Sequence, residues 1–256
     1  MAFSHRHHRK GLRQPAAAQP LEFGVLLLRG LWQPRQLNWW IGTVFACGSA
    51  LFILGGILSL APQAAARWAL DSTAVNSIFF AGSIPFTAAA YLQLYQAANA
   101  PESVAAGSTP RADVVYFGWR PGNLGWLASA LQFAGTLLFN VNTFDAMLPD
   151  LDWLQQDLEI WGPDMAGSIL FLASGYLVFK EWCQAHWAWH PHKLSWWITF
   201  INLLGCVAFM VSAVLAFVPP AGMAAEAVTL SIVFTVLGAT AFLIGALLLW
   251  PEAAQA

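Results

Sequence analysis

Two stretches of the chain gather side chains that could do chemistry. In FKEWCQAHWAWHPHKLSWW (179–197), a helix continued from the preceding apolar run would set Cys183, His186 and His190 at i, i+3 and i+7 on one face, with His192 close behind. A thiolate and two imidazoles at that spacing are a ligand set for Zn²⁺ or another borderline metal. The same stretch carries Trp182, Trp187, Trp189, Trp196 and Trp197, the aromatic density expected where helices leave a membrane. On that balance the sequence assigns no metal and no cofactor, and leaves Cys183, His186 and His190 as candidates.

The second stretch ends an apolar run with LQFAGTLLFNVNTFD (131–145), which puts Asn140, Asn142 and Asp145 at or near membrane depth, and Asp164 follows before the next run is far advanced. Amides and carboxylates there are costly unless paired, so they face a bundle interior or a wet cavity. Asp164 has two readings. Following Pro163, it suits the cap of a helix start, where a carboxylate accepts free backbone N–H groups, and this reading is preferred. Alternatively it joins Asn140, Asn142 and Asp145 in a polar site for a cation or small solute. Between them, DAMLPDLDWLQQDLEIWGPD (145–164) is acidic and has no base. Leu148, Leu151, Leu154, Leu158 and Trp161 recur at steps of three and four, the pattern of an amphipathic helix lying on the outer interface with Pro149 in its first turn. No Ser–His–Asp or Cys–His–Asn set and no phosphate-cradling Gly loop is present, so the reading is non-enzymatic.

The elements that must position these groups follow from composition. Of 256 residues, 58% are hydrophobic and 9% charged, against roughly 25% charged in soluble domains. Six runs are long enough to cross a hydrocarbon core, near 39–60, 75–97, 124–144, 160–182, 196–218 and 228–250. Of the 11 Lys and Arg, all but Arg67 fall on one side of this arrangement. That asymmetry places both termini in the cytoplasm. Residues 1–38 then form a basic cytoplasmic tail with a short interfacial helix at 21–32, and 251–256 a C-terminal tail. No disulfide framework and no nucleic-acid partner are expected; the partner is the lipid bilayer.

The spans share a phrase. LNWWIGTVFACGSALF (37–52) is echoed by LSWWITFINLLGCVAF (194–209), and GSIPFTAAAYL from Gly82 by GSILFLASGYL from Gly167. Every span carries Gly and, one turn on, Phe: Gly48/Phe52, Gly82/Phe86, Gly135/Phe139, Gly167/Phe171, Gly205/Phe209 and Gly238/Phe242. Residues i and i+4 share a helical face, so Gly admits a neighbouring backbone and Phe fills the space beside the contact. The expected fold is all-α: six transmembrane helices in three parallel hairpin repeats, 39–97, 124–182 and 196–250.

A two-span hairpin with Gly-Ser-x-x-Phe in its helices resembles the YrhK-like family of small bacterial membrane proteins, here triplicated. The third hairpin departs from the phrase by placing Cys206 and Ala239 where Ser would stand. The resemblance implies the hairpin fold and a bacterial inner-membrane location, and it carries no functional residues across. The leading expectation is a structural or interaction protein that packs through its Gly and Phe faces with itself or other membrane subunits. The alternative is permeation of a small solute or cation through the Asn140, Asn142, Asp145 and Asp164 site.

Overall fold

The computed structural model describes residues 23–100, 114–149 and 151–254. Most of the basic tail, residues 1–22, lies outside them. All regular structure among the described residues is helical. A short α1 (Phe23–Gly30) precedes the first span, α2 (Leu37–Leu60); then come α3 (Pro62–Arg67), α4 (Ser72–Ala98), α5 (Leu124–Asp145), α6 (Trp153–Cys183), α7 (Leu194–Leu215) and α8 (Ala225–Ala253). Six of these, α2, α4, α5, α6, α7 and α8, are long and apolar enough to cross a membrane, and the chain is an integral membrane protein. Its surface fits that solvent. Leu54, Ile84, Leu137, Ile169, Leu204 and Leu237 are exposed, whereas Ser49, Ser83, Thr136 and Ser168 are fully buried.

Each span packs antiparallel on its neighbours in sequence, and α8 closes back onto α2, so the six form a ring. Glycine sets the closest approaches. A Cβ on Gly48 would meet Gly82 O at 2.9 Å and the Phe86 ring at 2.8 Å, and one on Gly82 would meet the Phe52 ring at 2.8 Å. The same exchange joins α5 to α6, through Gly135 with Phe171 and Gly167 with Phe139. It recurs between α7 and α8, through Gly205 with Phe242 and Gly238 with Phe209. Thus all twelve motif residues face their partners within the chain.

The six phenylalanines meet at the centre in two tiers. Phe209 lies 6.2 Å from Phe52 and 5.9 Å from Phe139, and Phe242 lies 6.0 Å from Phe86 and 5.8 Å from Phe171, ring centroid to ring centroid. Phe139 and Phe171, at 4.9 Å, are one of the links between tiers. T-shaped and tilted pairs at such distances are favourable beyond the area they bury.

One turn design opens α2, α5 and α7. Gln36, Asn123 and Lys193 donate their backbone N–H to the carbonyls of Gln33, Arg120 and His190, closing β-turns with Pro34, Pro121 and Pro191 at the second position. Five residues after each Pro stands Trp39, Trp126 or Trp196, all buried. Trp40 and Trp197 repeat a further bond, donating from Nε1 to Pro34 O and Pro191 O. At this end α1 also docks, with Gly30 against the backbone of Trp250 and Pro251. Both ends of the described chain therefore sit on one side of the bundle.

Four local expectations are corrected. The acidic connector forms no separate interfacial helix: Asp152 caps a helix through a capping box with Gln155, and this helix runs on through a π-helical segment, Gln156–Trp161, into the fourth span. The span thus begins well before 160. Asp164 consequently lies a full two turns or more inside α6 and cannot cap its start. Finally, α6 stops at Cys183 because Gln184 turns into the left-handed region (φ 54°), and α8 runs on past 250 to Ala253.

Candidate functional site

Two cavities lie on the bundle axis, one on each side of the phenylalanine tiers, and no residue lines both. The larger, about 450 Å³, opens toward the acidic end and has Phe52, Phe139 and Phe209 in its wall. The smaller, about 80 Å³, lies toward the basic end, against Phe171 and Phe242. It carries the amides Gln93, Gln96, Gln132 and Asn202, and it has room for a few water molecules.

The chemistry of the larger cavity comes from positions that the ring sets three times. Seven residues after the Gly of α2, α5 and α7 stand Gly55, Asn142 and Ser212; three before the Gly of α4, α6 and α8 stand Phe79, Asp164 and Thr235. In each hairpin the two touch. A Cβ on Gly55 would meet the Phe79 ring at 3.0 Å, Asn142 donates from Nδ2 to Asp164 Oδ1 at 3.0 Å, and Ser212 and Thr235 share a hydrogen bond of 2.8 Å. One frame therefore holds an apolar pair, an amide–carboxyl pair and a hydroxyl pair. The amide–carboxyl pair occurs in the hairpin whose second helix contains the π-helical segment. A π-turn inserts a residue into the helical repeat and is often found at functional sites. Asp157 within it accepts the Val218 N–H at 3.0 Å, which ties the loop after α7 to this helix.

Asp164 is half-buried, and the bond from Asn142 to Oδ1 is the one hydrogen bond its carboxyl makes among the described residues. No Lys, Arg or His lines the cavity. Several other polar groups in its wall have partners within the fold: Trp161 donates to Ala213 O at 2.9 Å, Asn76 to Ala146 O, and Ser212 and Ser231 bond each other. Asn142 is buried and its Oδ1 lacks a partner.

Of the four polar residues singled out in the sequence, the structure joins Asn142 to Asp164 and places the other two elsewhere. Asn140 accepts from Thr87 Oγ1 at 3.1 Å, in the α4–α5 contact. Asp145 ends α5 and lines neither cavity. Cys183, His186 and His190 are not aligned, because the helix that would have aligned them ends at Cys183. Cys183 donates weakly to Ala188 O, His186 pairs with Tyr176, and His190 sits edge-on to Trp182. Among the described residues no group of three His, Cys, Asp or Glu is placed to hold a metal ion.

Sequence reasoning missed Glu252. It is fully buried near the end of α8, where Oε1 accepts from Ser195 Oγ at 2.6 Å and Oε2 from Asn38 Nδ2 at 3.2 Å. It links α8 to α7 and α2 and so clamps the closure of the ring. The signal was available: Gln96, Glu181 and Glu252 each stand fourteen residues after the Gly of an even-numbered span.

The repeated frame makes one stability prediction. Copying the hydroxyl pair into the second hairpin, Asn142→Ser with Asp164→Thr, keeps the cross-helix contact and removes a charge that is costly at this depth. The thermal midpoint in detergent should stay at or above that of the wild type. A drop equivalent to more than about 2 kcal/mol, the scale of a lost charged hydrogen bond, would assign Asp164 to the fold instead of to the cavity.

No family model, no curated protein and no solved structure matches the chain.

Proposed function

We propose that the protein is a gated permeation protein of a bacterial inner membrane, in which three parallel hairpin repeats of the YrhK-like kind surround an axial path closed by two tiers of phenylalanine. The observation that carries this reading is the half-buried Asp164, held by Asn142 and facing a cavity of about 450 Å³ that lies across the phenylalanine tiers from a second, amide-lined cavity. A carboxylate at membrane depth with no cationic neighbour in its cavity has a structural cost and a use, which is to receive a cation or small polar solute. The basic end, with the termini, lies in the cytoplasm by the positive-inside rule, so the Asp164 cavity opens outward.

The structural reading loses its main support because the Gly and Phe faces it assigned to partners are occupied within the chain. A two-tier apolar constriction between two cavities that carry polar groups is the arrangement by which a pore closes through dewetting. The reaction class is movement, not bond chemistry, and no cofactor is required. Tracer flux into proteoliposomes tests this reading, with a panel of monovalent cations and small polar solutes. The reading expects saturable flux of at least one of them, lost in Asp164→Asn. Permeability equal to protein-free liposomes for the whole panel, in wild type and in a variant with an opened constriction, would contradict it.

A further inference from the structure

We propose that the Asp164 cavity binds a small alkylated ammonium ion. This rests on the permeation reading, and deepens it by naming the solute class. The cavity sets four conditions on a ligand. It must be a cation, because Asp164 is a carboxylate in a wall with no basic residue. It must need few protein oxygens: one Asp164 oxygen and the buried Asn142 Oδ1 lack partners, while Ser212, Ser231 and Thr235 bond one another and Asn76 and Trp161 donate to backbone carbonyls.

A metal ion fits this wall less well. Mg²⁺ and Ca²⁺ take about six or more oxygen ligands, most of which water would have to supply here, and the phenylalanine rings replace none of a metal ion's hydration shell. An alkylated ammonium ion is weakly hydrated and carries its charge inside an apolar shell. The third condition is aromatic surface, since Phe52, Phe139 and Phe209 line the site and rings attract ammonium groups that are already desolvated. The fourth is size: about 450 Å³ is far more than one metal ion fills and falls in the range of small-molecule sites.

The test uses the full chain in nanodiscs of zwitterionic lipid, with tetramethylammonium as the probe and calorimetric titration at constant ionic strength. Tetramethylammonium should bind saturably. Sodium at the same concentration should not displace it, and neopentyl alcohol, a neutral molecule of similar shape, should bind at least tenfold more weakly. Asp164→Asn, which keeps the shape, and the pair Asn142→Ser/Asp164→Thr should each weaken binding at least tenfold.

Displacement by equimolar sodium would replace an ammonium site with a general cation site and overturn the proposal. Equal binding of the alcohol, or an unchanged affinity in both variants, would reduce the cavity to an apolar pocket and overturn it as well. Absence of tetramethylammonium binding in a protein that still conducts another solute would refute the ligand and leave permeation standing. Binding without any flux would support the ligand and refute permeation.

Discussion

Gly135→Leu should prevent the second hairpin from closing. Even the Cβ alone would lie 2.7 Å from the Phe171 ring and 3.1 Å from the Gly167 carbonyl oxygen. Phe171 cannot swing away, because it is 1% exposed and packed between Phe139 and Phe242. The Gly167 carbonyl belongs to helix backbone and cannot yield without separating α6 from α5. Overpacking of a tight core costs about 1–3 kcal/mol, and a full leucine against backbone belongs at or above the top of that range. In detergent the variant should melt far below the wild type or fail to purify as a monodisperse species. Gly122→Leu is the matched control, since a Cβ there meets nothing within 4 Å. Equal melting of the two variants would remove glycine contact as the organising interaction of the ring.

Phe171→Ala should have the second large effect, on stability and on permeability together. Removal of a fully buried phenylalanine costs about 3–5 kcal/mol through lost contacts and the cavity left behind. Here the vacated space adjoins the smaller cavity, which Phe171 lines, and the Phe139 ring on the far side lines the larger one. The gap would therefore carry the smaller cavity up to the Phe139 ring and leave a single tier between the two. Proteoliposomes holding the variant should leak tracer at least tenfold faster than those holding the wild type. Phe117→Ala, at an exposed ring outside the tiers, should leave flux unchanged. Loss of stability without any leak would mean that the cavities are not the two halves of one path.

The spans and the Gly-Phe contacts were legible because both depend on short spacings within one helix. A run of about 20 apolar residues and an i, i+4 pair survive any arrangement of neighbours. The Asn142–Asp164 pair was half legible. Both residues were singled out at membrane depth, but Pro163 suggested a helix start, whereas the true start is capped by Asp152 and a π-helical segment carries the helix through. Proline near a cap and proline after a π-turn look alike in sequence. Asn140 was misjudged for a different reason: its place in the α4–α5 contact is fixed by Thr87, a residue on another span. The Pro-x-x-Leu-x-Trp phrase at Pro34, Pro121 and Pro191 was present to be read and opens three helices alike. Neither cavity has any local signature, since each exists through the closure of α8 onto α2.

Permeation requires that the two cavities reach opposite faces of the membrane across the phenylalanine tiers. Cysteine accessibility measures this directly, in a background with Cys47, Cys183 and Cys206 replaced by Ala. Thr235→Cys probes the larger cavity and Gln132→Cys the smaller. Thr136→Cys is the buried control, in the α4–α5 contact at a position next to Gly135 that corresponds to Cys206 in α7 and so accepts a thiol. A membrane-impermeant thiol reagent added to intact cells should label Thr235→Cys and spare Gln132→Cys, the reverse should hold for inverted vesicles, and Thr136→Cys should stay unlabelled in both. Labelling of Thr235→Cys and Gln132→Cys from the same side, or rapid labelling of Thr136→Cys, would contradict the account.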